Sequence, residues 1–215
     1  MNKIVQDKMQ RQIMVVKNEI LFLNTPYKQG FIGKSDNYEE IIINHFEYMK
    51  RWEAEKNFEY KQPIPYGVVI NDKKQIFVYK RWNANSNAWE QRLHSKISFW
   101  VGWHIEMDDE ISENILRDTL CRELKEEIFI QKNDIKKIEI LWYINDDSNE
   151  VWKVHFWVCY IVEITNTKIS MEDGELENGE FLSISQIEEM MKSDEYDVEN
   201  WSQIIYDEIK NSISK

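Results

Sequence analysis

The spacing of hydrophobic residues along the chain predicts both strands and helices. Short runs rich in β-branched and aromatic residues indicate strands, and apolar residues three or four positions apart indicate helices. The predicted strands are 13–23 (one or two strands), 66–81 as a hairpin around Asn71–Lys74, 97–101, 136–144 and 151–164. The predicted helices are 38–52, 113–128, 184–192 and 198–213, and the predicted loops are 53–64, 82–96 and 172–180.

The order of these elements predicts the fold class. Strands, a helix, further strands and closing helices suit an α/β sandwich. The chain has 215 residues, which fits one domain with a sizeable core, and it contains no internal repeat or low-complexity linker. We therefore predict a single domain over residues 1–215, with a core at 61–215 and a strand and helix extension at 1–60.

Composition narrows the classes of partner. The net charge of −12 argues against non-specific nucleic-acid binding, which needs a basic face. It does not exclude a small anionic substrate, because a bound metal reverses the local charge.

No apolar run approaches the ~18 residues of a membrane span, and the first thirty residues lack the layout of a signal peptide. Cys121 and Cys159 lie in apolar surroundings and indicate reduced core residues of a cytoplasmic protein.

The predicted helix 113–128 carries acidic residues on its apolar side. At about 100° per residue, Glu123 and Glu127 each fall roughly 20° from Leu116, on opposite sides of it, and Glu126 lies about 60° beyond Glu123. The apolar stripe itself consists of Leu116, Leu120, Leu124 and Ile128. A solvated charged face would instead place its carboxylates opposite the stripe.

Three carboxylates at positions i, i+3 and i+4 share one turn of a helix. When partly buried they repel one another, and protonation, cationic partners or a bound metal relieve the repulsion. An oxygen-only ligand set suits Mg²⁺ or Mn²⁺. The alternative is a surface helix on which Arg122 and Lys125 pair with these glutamates, and the wheel position alone leaves both interpretations open.

The segment Arg122–Glu127 (RELKEE) resembles the R-E-U-x-E-E core of the Nudix box, G-x5-E-x7-R-E-U-x-E-E-x-G-U, in which U is aliphatic. The match has departures. Phe129 stands where the last Gly is expected, and Asn114 stands where the single upstream Glu is expected, with Glu113 beside it. Gly102 lies further upstream than the first Gly of the box. The segment looks like a variant box with inserted residues before the helix.

Flanking segments are similar to the predicted phosphoesterase branch of the Nudix family. Residues 98–106 (SFWVGWHIE) resemble the branch segment S-I-G-V-G-G-H-I-N-x-x-D. Residues 142–155 resemble G-F-I-N-D-D-S-x-x-V-G-x-V-H, and 177–181 and 199–202 also look like that branch. The resemblance extends over about residues 12–212. It implies a Nudix-like α/β/α sandwich with a mixed sheet and the Nudix helix at about 113–128.

The resemblance also implies a function. Glu123, Glu126 and Glu127 would bind Mg²⁺ or Mn²⁺, one of them would help to activate water, and Arg122 would orient Glu123. The reaction would be attack of water on a diphosphate linkage in a nucleoside diphosphate derivative or a related small molecule. Two alternatives stay open: a catalytically silent Nudix-like module that binds a ligand or regulates, and an isomerase of a diphosphate substrate on a similar fold.

Further residues are candidates for substrate contact. Gly102, Trp103 and His104 lie next to the predicted pocket, and Arg81 follows the hairpin. An acidic residue from the 172–180 loop, Glu175 or Glu177, could complete the site. His155 lies in a strand pattern and is interpreted as a packing or hydrogen-bonding residue.

Tryptophan is unusually frequent and glycine unusually rare. The chain has nine Trp and six Gly, whereas about 15 Gly are expected at this length. Trp100, Trp103, Trp142 and Trp152 stand where the similar proteins carry Gly, and Gly would also be natural at 52, 82, 89 and 157. We hypothesise that these eight residues are glycines in the native protein, encoded by UGA codons that the source organism reads as Gly. If they are tryptophans, bulky side chains obstruct the pocket and lower the activity.

Overall fold

The computed structural model describes residues 3–23, 27–81, 96–109, 112–165, 169, 176–198 and 200–213. The chain forms two compact units, each drawn from three separate stretches of sequence. The first unit comprises residues 1–66, 102–122 and 140–160, and the second comprises 67–101, 123–139 and 161–215.

Seven α-helices and nine strands occur among the described residues. The helices are α1 (Lys3–Gln10), α2 (Asn18–Leu21), α3 (Tyr38–His45), α4 (Arg51–Ala54), α5 (Ile115–Ile128), α6 (Ile184–Lys192) and α7 (Asn200–Ile213). The strands are β1 (Gln12–Lys17), β2 (Gly30–Gly33), β3 (Glu47–Lys50), β4 (Tyr60–Ile70), β5 (Ile76–Arg81), β6 (Ile97–Ser98), β7 (Ile135–Asn145), β8 (His155–Ile164) and β9 (Leu176–Leu182).

Six of the described strands follow the sheet order β2-β7-β8-β4-β1-β3, in which β4, β7 and β8 contribute residues to both units. Strand β1 pairs antiparallel with β3, with Gln12 opposite Lys50, and the end of β1 pairs with the start of β4. Strand β2 pairs antiparallel with the end of β7. Alternate residues of β1 pack inward, where Ile13 and Val15 form a buried cluster with Ala54 of α4.

In the second unit, β5 pairs with β4, β6 and β9. The predicted hairpin at 66–81 is confirmed, with Ile70 opposite Ile76. The Asn71 side chain closes its turn by accepting the N–H groups of Lys73 and Gln75. Helix α6 begins where predicted because Ser183 and Gln186 cap its first turn reciprocally.

Several predicted elements differ from the observed ones. The loop predicted at 53–64 includes the end of α4 and the first five residues of β4. The strand predicted at 13–23 ends at Lys17 and is followed by α2, and the helix predicted at 38–52 ends at His45. Residues 47–50 form β3 instead, since pairing with β1 satisfies their backbone groups. The strand predicted at 97–101 is only two residues long, and the loop predicted at 172–180 becomes β9 from Leu176, where it pairs with β5.

Of the remaining elements, one was not predicted, one lies almost wholly outside the described residues, and two confirm their predictions. Helix α1 was not predicted, and the loop predicted at 82–96 lies outside the described residues except for Lys96. Strands β7 and β8 confirm the predictions at 136–144 and 151–164, although β8 begins only at His155. None of the helices in the described part of the chain is long and apolar enough to cross a membrane.

Candidate active site

Helix α5 confirms the helical wheel on which the metal-site prediction depends. The four stripe residues, Leu116, Leu120, Leu124 and Ile128, have no exposed surface. Glu123 is 6% exposed, Glu127 is half-buried and Glu126 is exposed. The exposure of Glu126 agrees with its predicted position farthest from the stripe, but the wheel does not predict that Glu123 is more buried than Glu127. The three carboxylates thus extend from the apolar side of α5 towards solvent.

The helix begins two residues later than predicted, at Ile115. Ser112 still stabilises the turn before it, since its hydroxyl oxygen accepts the Asn114 N–H at 3.0 Å and its O–H donates to Asp118 at 2.6 Å. Glu113 and Asn114 are exposed in this turn. Glu113 and Asn114, at the place of the upstream Glu of the Nudix box, therefore lie before the first residue of α5.

The end of α5 has the backbone conformation that glycine favours. Phe129, at the position of the last Gly in the box, has φ +56°, which lies in the left-handed region. The next N–H, of Ile130, donates to the Leu124 carbonyl at 3.1 Å and closes the helix end. Residue 129 therefore has the backbone conformation that suits the glycine of the Nudix box, although the residue itself is Phe.

Arg122 contacts a residue that the sequence analysis did not select. Its guanidinium donates to both carboxylate oxygens of Asp109, from Nε at 2.6 Å and from Nη2 at 3.3 Å. Asp109 also accepts the backbone N–H of Glu106 at 2.8 Å. Asp109 falls on the final Asp of the segment S-I-G-V-G-G-H-I-N-x-x-D, a signal from which it could have been found. The predicted role of Arg122 in orienting Glu123 stays a prediction.

Gly102 and Trp103 precede a buried polar cluster in the first unit. Gly102 has φ +148° and lies so close to β4 that a Cβ would be 1.9 Å from the Pro65 carbonyl oxygen. Trp103 is half-buried, and the Arg51 guanidinium lies 5.2 Å from the centre of its ring. Close backbone packing thus requires glycine at 102.

His104 and His155 are buried, and their ring planes are inclined at 64° to each other. Their Nε2 atoms are 3.4 Å apart, and His104 Nε2 is also 2.8 Å from Gln62 Oε1. His155 Nδ1 is 2.6 Å from the Val151 carbonyl oxygen and therefore donates to it. The hydrogen-bonding role predicted for His155 is confirmed, and His104 faces other protein groups.

The same cluster includes Glu55, which the sequence analysis did not select. One ligand atom from each of Glu55, His104 and His155 lies within 4.8 Å of the other two. Among the described residues this is the one group of three or more His, Cys, Asp or Glu side chains with such spacing, and Glu123, Glu126 and Glu127 do not form another. No sequence spacing signals the cluster, because its members come from three distant segments.

Burial sets the ionisation of the two histidines. Burial lowers the pKa of His104 well below its ordinary value, and the positive charge of Arg51 lowers it further. Burial also lowers the pKa of His155 and outweighs the opposing effect of the Glu55 charge. Both imidazoles are neutral near pH 7, so each has a nitrogen lone pair that can accept a hydrogen bond or bind a metal.

The other candidate residues are placed only in part. The backbone of Arg81 ends β5 and pairs with Leu176, and Glu177 pairs with Lys80. The side chains of Arg81 and Glu177 and the whole of Glu175 lie outside the described residues. Their predicted substrate contacts stay predictions. Neither cysteine forms a disulfide in the described part of the chain; Cys159 is buried as expected, and Cys121 is half-buried.

Six of the eight tryptophans in the glycine hypothesis are described, and none has a positive φ. The φ angles therefore do not themselves demand glycine at these six positions, 103 included. Trp82 and Trp89 lie outside the described residues. The described side chains are buried at 100, 142 and 157, half-buried at 103 and 152, and exposed at 52.

Comparisons with known proteins identify one relative by sequence and several by structure. No family model matches the chain. Protein YmaB of Bacillus subtilis (strain 168) is 30% identical over 208 residues, which cover 93% of this chain and 98% of that protein. The crystal structure of Tm1382, a candidate Nudix hydrolase, has a TM-score of 0.75 at 23% identity and covers 94% of this chain and 99% of Tm1382.

Two further solved structures are similar over the greater part of the chain. The Nudix domain of Shewanella oneidensis NrtR, complexed with ADP ribose, has a TM-score of 0.53 at 12% identity, with 71% of this chain and 88% of that domain covered. MutT protein from Methanosarcina mazei Go1 has a TM-score of 0.50 at 13% identity, with coverages of 72% and 96%. These similarities confirm the predicted α/β fold with a mixed sheet, like that of Nudix hydrolases.

Proposed function

This chain belongs to the family of Protein YmaB and has the fold of the Nudix hydrolases, and from this premise we propose that it hydrolyses phosphoanhydride bonds. The substrate class is a nucleoside diphosphate derivative or a related small anionic molecule. Glu123, Glu126 and Glu127 would hold Mg²⁺ or Mn²⁺. The observation that supports this most is the graded exposure of these three carboxylates along one turn of α5.

The donor set of α5 fits the metal. Three carboxylates supply only oxygen ligands, which Mg²⁺ and Mn²⁺ prefer, and Mg²⁺ commonly keeps waters and substrate phosphates as its remaining ligands. A metal bound here would polarise the phosphoryl oxygens and lower the pKa of a bound water. The exposed Glu126 lies on the side from which a substrate in solution can reach the turn.

The protein side of the mechanism follows from the surroundings of the glutamates. Glu123 is fixed by burial next to the apolar stripe, so its carboxylate has little freedom to turn away. One of the three carboxylates would accept a proton from the attacking water. The bidentate contact of Arg122 with Asp109 ties the segment before the helix to the first residue of the RELKEE motif.

Repulsion between the acidic chain and an anionic diphosphate is a reason to expect a metal ion at the site. The chain carries a net charge of −12 and would repel a diphosphate unless a cation offset the charge locally. The fold relative from Shewanella oneidensis binds ADP ribose, a molecule with a diphosphate linkage between two sugars. ADP-ribose is therefore a first member of a substrate panel. A cytoplasmic location is part of the same proposal and is consistent with two cysteines that form no disulfide.

A catalytically silent module is the second candidate. It is favoured by Phe129, which holds a glycine-type conformation with a bulky side chain, and by the tryptophans at 100, 103 and 142. The two candidates bind similar ligands and differ only in turnover.

The test is a hydrolysis assay on a panel of nucleoside diphosphate derivatives, with Mg²⁺ or Mn²⁺ and with chelator. We expect metal-dependent release of phosphate or nucleotide that falls at least ~100-fold in Glu126→Gln and Glu127→Gln. Glu189→Gln, an exposed glutamate of α6, is the matched control and should keep full activity. If the wild type with glycine restored at the eight positions were as inactive as Glu127→Gln, the silent module would be preferred.

A further inference from the structure

The buried group of Glu55, His104 and His155 has the composition of a transition-metal site. The three residues lie in the first unit, at the end of α4, in the segment after Gly102 and at the start of β8. They share no residue with the RELKEE motif, and their donor set differs in kind. Two imidazoles and one carboxylate suit Zn²⁺, whereas an all-carboxylate set suits Mg²⁺.

His155 is held in the orientation that metal binding requires. His155 donates its Nδ1–H to the Val151 carbonyl at 2.6 Å, so its Nε2 carries a lone pair. That lone pair lies 3.4 Å from His104 Nε2. Two nitrogens bound to one tetrahedral zinc at about 2.05 Å lie about 3.3 Å apart. A carbonyl oxygen that accepts the N–H of the far ring nitrogen is the usual support of a zinc-bound imidazole.

Gln62 lies beside the same point. It has no exposed surface, and its Oε1 is 2.8 Å from His104 Nε2. Because a carbonyl oxygen only accepts, His104 Nε2 carries the hydrogen in this contact, and a zinc ion would take the place of that hydrogen bond. Gln62 Nε2 and His104 Nδ1 are also buried and have no hydrogen-bond partner among the described residues, so hydrogen bonds do not satisfy the whole cluster.

We propose that Glu55, His104 and His155 form a structural Zn²⁺ site that ties together α4, the segment after Gly102 and β8. The carboxylate of Glu55, whose side chain is only 6% exposed, supplies the one negative charge among the ligands. Gln62 Oε1 stands next to the fourth coordination position. Because the ligands are buried, zinc bound here stabilises the fold.

Arg51 opposes the zinc electrostatically. Its Nε is 3.2 Å from Glu55 Oε1, in an ion pair that is itself largely buried. A positive charge at this distance weakens the binding of a divalent cation. The Arg51 guanidinium also lies 5.2 Å from the centre of the Trp103 ring. Removing the charge in Arg51→Met should therefore tighten zinc binding, a response that a purely hydrogen-bonded cluster would not give.

The experiment uses the full chain without an affinity tag, stripped of metal and titrated with Zn²⁺ and with Co²⁺ as a spectroscopic probe. The wild type should bind one equivalent of Zn²⁺, and Co²⁺ should give the intense visible bands of tetrahedral coordination. Zinc affinity should fall at least ~100-fold in His155→Gln and ~10-fold or more in Glu55→Gln. His45→Gln, an exposed histidine of α3, should leave it unchanged.

Wild-type protein that binds no Zn²⁺, or shows only the weak bands of octahedral Co²⁺, would overturn the site without any variant. Zinc affinity that Arg51→Met leaves unchanged would also overturn it. The Glu123→Gln, Glu126→Gln and Glu127→Gln triple variant should lose hydrolysis and keep its zinc. The hydrolysis assay therefore tests the hydrolase proposal, and the zinc titration tests the zinc proposal independently of it.

Discussion

Gly102 packs against Pro65 with no room for a side chain: a Cβ on Gly102 would lie 1.9 Å from the Pro65 carbonyl oxygen. The atom in the way belongs to the backbone of β4, so it cannot rotate aside as a side chain can. Gly102 also has φ +148°, which disfavours any other residue. The segment before His104 therefore approaches β4 closely only because Gly102 has no Cβ.

Gly102→Ala should destabilise the protein by at least about 3 kcal/mol, from backbone displacement and left-handed strain together. Urea unfolding followed by circular dichroism measures the change. Gly33→Ala is the control, since its Cβ would meet only Ser35 Oγ at 3.8 Å, and it should change the free energy of unfolding by less than about 1 kcal/mol. Equal effects of the two substitutions would contradict the packing observed at Gly102.

Phe129→Gly should stabilise the end of α5. Phe129 has φ +56°, and a residue with a Cβ loses roughly 1 kcal/mol in this conformation relative to glycine. Phe129→Ala keeps the Cβ and removes the ring, so the difference between the two variants isolates the backbone effect. We expect the Gly variant to unfold at higher urea than the Ala variant, and the reverse order would show that the backbone at 129 is not left-handed.

Lys61 and Asp147 should respond unequally to substitution. The Lys61 side chain has no exposed surface, and its Nζ is 2.6 Å from Asp147 Oδ1, whereas the Asp147 side chain is 24% exposed. Asp147→Asn leaves a buried ammonium without its counter-charge and should cost about 2 to 3 kcal/mol. Lys61→Met leaves the better-solvated partner and should cost about half as much, as measured by urea unfolding. Equal costs would contradict the burial of Lys61.

This pair also predicts an acid dependence. Burial raises the pKa of the Asp147 carboxyl, but the hydrogen bonds from Lys61 and Tyr27 outweigh it and hold the pKa below its ordinary value of 3.8. Because the folded pKa is the lower one, the stabilisation is complete above about pH 4 to 5 and is lost as the pH falls through the folded pKa. The stability gap between wild type and Asp147→Asn should shrink below pH 4 and stay constant above pH 5.

Magnesium should raise the melting temperature of the wild type and not of Glu123→Gln. A metal bound by the carboxylates of α5 stabilises the folded state by mass action, and Glu123 is the most buried of the three. Thermal unfolding with millimolar Mg²⁺ and with chelator measures the shift. The control Glu189→Gln should shift as the wild type does. A shift of equal size in Glu123→Gln would place the magnesium elsewhere.

The glycine hypothesis predicts the composition of the native protein. Intact-mass spectrometry of protein isolated from its natural source should give a mass lower than that of the printed chain by eight Trp-to-Gly replacements. Peptide sequencing across residues 100–103 would show Gly at both ends of that segment. UGG codons at the eight positions would contradict the hypothesis.

The sequence by itself determined the features whose geometry is local. The apolar stripe of α5 and the exposed position of Glu126, farthest of the three glutamates from it, follow from 100° per residue. The deeper burial of Glu123 than of Glu127 depends instead on what packs against the helix. The 66–81 hairpin and the start of α6 are likewise coded by side chains within a few residues of the turn or cap. The roles of the glutamates as metal ligands stay predictions.

Only the tertiary structure decided the features that depend on distant partners. Residues 47–50 have helical spacing of apolar positions but form β3, because β1 offers its backbone groups a partner. Glu55, Gln62, His104 and His155 meet in one buried cluster although 7 to 51 residues separate neighbouring members along the chain. No periodicity connects such positions, since their meeting is set by the path of the chain between them rather than by the conformation of any one segment.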